Sequence, residues 1–106
     1  MDEYVSVTLL AESGETEAAF KSRLTAFWTH VLRTRPDDYE RVYAEAKRFE
    51  TTDGRVSREY MVGVEAVDVL TTELTAKGMA FAAVDPDDTY NKAEASSSEY
   101  FQIPHD

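Results

Sequence analysis

Two hydrophobic periods alternate along this chain, and the order of their alternation limits the folds open to it. Val5, Val7 and Leu9 alternate with Tyr4, Ser6 and Thr8, the period-two signature of a half-buried strand spanning about Glu3 to Leu10. Ser13-Gly14 interrupts the pattern, and Glu15 and Glu17 follow where a helix N-terminus favours negative charge. Phe20, Leu24, Phe27 and Val31 then recur at steps of four and three residues, with Trp28 beside them, forming one helical stripe. Arg33 and Arg35 suit the C-terminal end of that helix, and Pro36 stops it.

The period is contested between residues 37 and 50. Tyr39, Val42, Tyr43, Ala46 and Phe49 fit a helical stripe, yet the run from Arg48 to Ser57 reads as a hairpin turning at Asp53-Gly54. A short helical turn from Pro36 to about Val42, followed by a strand from about Tyr43 to Glu50, accommodates both signals. The next strand is plainer: Val56, Arg58, Tyr60, Val62 and Val64 alternate with Ser57, Glu59, Met61 and Gly63. Val67, Leu70 and Leu74 share one face of a second helix from about Ala66 to Lys77, and Gly78 is placed to stop it. Met79 to Val84 is too short for a helix and reads as a buried strand. A polar stretch follows, ending in Tyr100, Phe101 and Ile103, which suit a short terminal strand.

Strand, helix, strand, strand, helix, strand is the order of an α+β domain of the ferredoxin-like, split βαβ kind: an antiparallel sheet with two helices on one face. The expected organisation is a single domain, its compact core at about 3–85 and a tail at 86–106. The opposite sheet face needs a cover. With Tyr4, Leu10, Tyr43, Phe49 and Tyr60 assigned to it, a homodimer is expected, joined sheet to sheet or through exchanged C-terminal strands.

Composition excludes several functions. The chain has 106 residues, no cysteine, and a formal charge of −10. Disulfides, thiolate nucleophiles and cysteine-held metals are therefore out. The acidic surplus argues against nucleic acid or an anionic membrane, both of which are met by Lys and Arg. Apolar runs stay far below the ~20 residues of a membrane span, and no signal peptide is read, so a cytoplasmic protein is expected. Four dispersed glycines make no phosphate loop, and neither a nucleophile elbow nor a His-Glu-x-x-His pair occurs. No cofactor and no metal is expected. Asp85, Asp87 and Asp88 crowd together, but Asp-Pro-Asp-Asp is above all a turn sequence.

What remains is a small set of side chains. Arg41, Arg48, Arg55 and Arg58 concentrate in the middle of an acidic chain. With Tyr43 and Tyr60, Arg48 and Arg58 could line a site for a small anionic or aromatic ligand, through charge-assisted hydrogen bonds and stacking. The simpler alternative pairs the arginines with Glu45, Glu50 and Glu59 across a solvated hairpin. His30, at the border of the helical stripe, and Tyr60 are the groups that could move a proton. For His30 the plainer role is that of an ordinary surface histidine, and Trp28 reads as core or interface. The expectation is a non-enzymatic, dimeric module that binds a small ligand or a protein partner on the open sheet face. The alternative is a cofactor-independent enzyme acting on a small hydrophobic or aromatic substrate between sheet and helix.

Overall fold

A computed structural model of the chain describes residues 3–34, 45–91 and 100–102. It is an α+β structure with an antiparallel sheet and, among the described residues, two α-helices. Strand β1 (Tyr4–Leu10) is an inner strand of that sheet, and its apolar and polar residues alternate in burial as their spacing requires. Helix α1 (Glu17–Thr34) follows. The Thr16 hydroxyl accepts the backbone N–H of Ala19 at 3.2 Å and so caps its first turn. The expected helical turn at 36–42, together with Arg41 and Tyr43, lies outside the described residues.

Strands β2 (Glu45–Lys47) and β3 (Glu50–Thr52) both pair with β4 (Arg55–Gly63). The expected single strand is broken between them. Ala46 faces Tyr60 and Glu50 faces Ser57, so four steps on one strand span three on the other. That extra residue is a β-bulge, and Arg48 and Phe49 occupy it. The hairpin turns at Asp53 (φ 52°) and Gly54 (φ 78°), the two left-handed positions that a tight two-residue loop demands.

Strand β4 lies beside β1 over seven paired positions, with Val5 opposite Val62, Val7 opposite Tyr60 and Leu9 opposite Arg58. A 3-10 turn (Val64–Ala66) leads into helix α2 (Val67–Ala76). The helix ends in a Schellman arrangement, in which Gly78 N–H bonds to Thr75 and Met79 N–H to Leu74, with Gly78 at φ +68°. Strand β5 (Ala80–Phe81) is shorter than its apolar run suggests, because the chain leaves the sheet towards the turn at Asp85. It returns as β6 (Thr89–Tyr90), which pairs with the start of β1. Finally β7 (Tyr100–Gln102) pairs with β2 of the same chain. The resulting strand order is β5-β1-β4-β2-β7, with β3 also on β4 and β6 also on β1.

One core forms between the sheet and the helices. Val5, Val7, Leu9, Tyr60 and Val62 from the sheet meet Phe20, Leu24, Phe27, Trp28 and Val31 of α1 and Leu70 and Leu74 of α2. No described helix is long and apolar enough to cross a membrane.

Candidate functional site

Position parity along β4 decides what enters this core. Val56, Arg58, Tyr60 and Val62 share the face that packs under α1, so a cation and a phenol are carried into an apolar layer. Arg58 is only 4% exposed and Tyr60 1%. The bulge supplies the third wall. Phe49 packs against the core, and the Arg58 guanidinium lies 4.5 Å above the Phe49 ring centroid and 5.8 Å from that of Tyr60. Trp28 completes the group from α1, its ring 5.2 Å from Tyr60 and 5.2 Å from Phe27.

The polar atoms here are out of balance. Trp28 Nε1 and Tyr60 Oη are both buried, and neither has a hydrogen-bond partner among the described residues. Buried polar groups nearly always find a partner, so two adjacent exceptions need a reason. Burial raises the Tyr60 phenol's pKa, with the Trp28 N–H and the Arg58 charge acting against that rise. At neutral pH Tyr60 is therefore a protonated donor. Burial likewise lowers the Arg58 pKa, while the neighbouring Tyr60 and the Glu17 carboxylate favour its charge.

The sequence-derived candidates are thus divided. Arg58 and Tyr60 come together, but with Trp28 and Phe49 and on the face that carries the helices. Tyr60 and Phe49, expected on the opposite face, are turned inward by strand parity and by the bulge. Arg48 is exposed, and Tyr43 lies outside the described residues. Arg55 donates to the Ala11 carbonyl, and Glu59 accepts from the Ser6 hydroxyl at 2.8 Å. On that second face Thr52 and Ser57 also bond to each other, at 2.8 Å.

His30 belongs to a different place. Its Nε2 is 2.9 Å from Glu73 Oε2, tying α1 to α2, and with Arg23, Phe27, Lys77 and Met79 it lines a groove of about 240 Å³. Arg23 is itself held by both carboxylate oxygens of Glu15, at 2.6 and 2.7 Å. A larger open groove of about 730 Å³ runs along α2 beside Phe81, Val84 and Pro86. Its threonines turn their hydroxyls to carbonyls of their own helix, as Thr71 does to Val67 and Thr75 to Thr71. Asp85 forms a local turn, its carboxylate accepting the N–H of Asp87 at 3.0 Å. Among the described residues no group of three metal-ligating side chains comes together.

Comparison with protein families, curated proteins and solved structures returned no match. The reading of function therefore rests on the chain's own geometry.

Proposed function

We propose that this chain is a small-ligand-binding module without catalytic activity, holding its ligand under α1 at Arg58, Tyr60 and Trp28. The observation that carries this reading is the pair of buried, unpartnered atoms, Trp28 Nε1 and Tyr60 Oη, beside a buried guanidinium. Each such atom costs about 1–3 kcal/mol when desolvated without a partner, and a ligand that accepts their hydrogen bonds recovers that cost. The opposite sheet face has less to offer a polar ligand, since Ser6, Glu59, Thr52 and Ser57 already bond among themselves. The enzymatic alternative is weaker for two reasons. A phenol whose pKa is raised by burial donates at neutral pH and does not act as a base. His30 is engaged with Glu73 and lines a separate groove.

The framework belongs to the same proposal. A split βαβ, ferredoxin-like arrangement is supported by the antiparallel neighbours of β1, which are β4 on one side and β5 with β6 on the other. A homodimer through the second sheet face is supported by Tyr4, Leu10 and Tyr90, all half-buried there. Light scattering at high micromolar concentration tests it, and a lone 12.0 kDa species removes the dimer.

The ligand site has a built-in reporter, because Trp28 is the only tryptophan in the chain. A panel of small anionic and aromatic compounds is screened by thermal shift and by tryptophan emission together. Compounds that raise the melting temperature are expected to change the emission. Binders that stabilise the protein and leave Trp28 emission untouched would place the site elsewhere.

A further inference from the structure

We propose that the open groove along α2 docks a basic amphipathic helix of a partner protein. The groove holds about 730 Å³ and is lined by Val67, Thr71 and Thr75 of α2 and by Phe81, Val84 and Pro86 of the chain after it. Its hydroxyls are already satisfied. Thr71 donates to the Val67 carbonyl at 2.9 Å, Thr72 to Asp68 at 2.7 Å and Thr75 to Thr71 at 2.9 Å. Each threonine is thereby bonded to its own helix, so covering this face strands no donor and meets mostly methyl groups. A face meant only for water is better served by Glu, Lys or Gln, which favour the helix more than Thr does. Shape points the same way. Residues 67, 71 and 75 form one row at four-residue spacing and 68, 72 and 76 a second, and the furrow between such rows accepts a row of side chains from another helix. The ten residues of α2 run about 15 Å, enough to seat two or three anchors at successive turns. Because the groove is open, its occupant keeps one side in water, as an amphipathic helix does, whereas a small molecule is enclosed by its site on most sides.

Charge selects the partner. From Glu65 to Asp88 the chain carries six acidic residues and one lysine, a net −5. Asp68 lines the groove, and Pro86, on the opposite wall, stands between Asp85 and Asp87. Asp68, Asp85, Asp87 and Asp88 are all exposed, and among the described residues none of them joins an ion pair. Lysines or arginines beside the apolar stripe of an incoming helix meet these carboxylates at the rim, where complementary charge speeds encounter and selects the partner. The same carboxylates oppose the docking of this acidic face on a second copy of itself, and they repel an anionic membrane.

The test titrates three synthetic peptides, each about four helical turns long, into the isotope-labelled full chain and follows its amide NMR resonances. The first places leucines at steps of three and four with lysines elsewhere. The second has the same composition with its leucines dispersed, and the third carries glutamate in place of each lysine. The first is expected to shift the amides of Thr71, Thr72, Thr75 and Phe81 saturably, and the other two are not. Thr75 is exposed, and Thr75→Lys keeps a good helix former there while setting a long cationic side chain in the groove. It is expected to weaken binding roughly tenfold or more, as like charges brought together do. Asp68→Asn is expected to weaken binding less and to flatten its dependence on salt. No saturable shift from the first peptide, shifts centred on another surface, or unchanged affinity in Thr75→Lys overturns the docking site. Equal binding of the dispersed peptide or of the glutamate peptide overturns the amphipathic or the basic character of the partner. Self-association of the chain that Thr75→Lys abolishes assigns the groove to a second copy and overturns the proposal.

Discussion

Substituting Tyr60 by phenylalanine should make this protein more stable, an uncommon sign for a change at a residue only 1% exposed. The substitution removes one atom, the hydroxyl oxygen, and leaves the ring against Trp28, 5.2 Å away. That oxygen is buried without a partner among the described residues, so the native state bears a desolvation cost of about 1–3 kcal/mol. Against this stands the void left by one atom, a few tenths of a kcal/mol at about 24 cal/mol per Å³. The balance is a gain of about 1 kcal/mol, or about 4–8 °C in melting temperature for a domain near this length. Urea unfolding followed by Trp28 emission and by far-ultraviolet circular dichroism reads it, provided the m-value is unchanged. A loss of 1 kcal/mol or more would refute the reasoning, because it is what a well-bonded tyrosine hydroxyl gives. At the proposed ligand site the same variant is expected to bind less well, so stability and binding should move in opposite directions.

Other substitutions test the frame around the site. Leu70 is fully buried in the core, and Leu70→Ala is expected to cost about 2–5 kcal/mol in urea unfolding. Gly78→Ala meets nothing within 4 Å but must adopt φ +68°, so it is expected to cost about 1 kcal/mol from backbone conformation alone. The Arg23 hydrogen bond holds the Glu15 carboxyl below its ordinary pKa of 4.5, with burial acting the other way. A depressed folded-state pKa stabilises above the unfolded value and loses that contribution as pH falls through the folded one. Glu15→Gln is therefore expected to lose about 0.5–1 kcal/mol at neutral pH, and the two proteins should converge in stability well below pH 4.5.

Much of the frame is legible in the residues, because its elements are set by local periodicity. The alternation in 4–10 and 55–63 and the stripe from Phe20 to Val31 emerge as β1, β4 and α1. Asp53-Gly54 and Gly78 take up left-handed backbone positions, as their places in the sequence imply. The bulge at Arg48-Phe49 is less visible, since one extra residue inverts which side chains face the core and leaves composition unchanged. The short strand β6 has almost no apolar signal of its own, and the free edge of β1 recruits it. For the candidate site, the decisive sign is already in the sequence: Arg58 and Tyr60 stand in phase with Val56 and Val62. A cation on the apolar phase of a strand marks a buried charge. Trp28 carries no comparable sign, because an indole on a helical stripe is fully accounted for by packing until its N–H proves to lack a partner.

The central claim is the proposed ligand site at Arg58, Tyr60 and Trp28 under α1, and its most direct test is a crystal of the protein grown in sodium bromide, with bromide as an anionic probe. The anomalous difference map is expected to show a bromide within hydrogen-bond distance of Tyr60 Oη and Trp28 Nε1, beside the Arg58 guanidinium. Ordered bromide confined to surface positions, with no peak at that cluster, would contradict it.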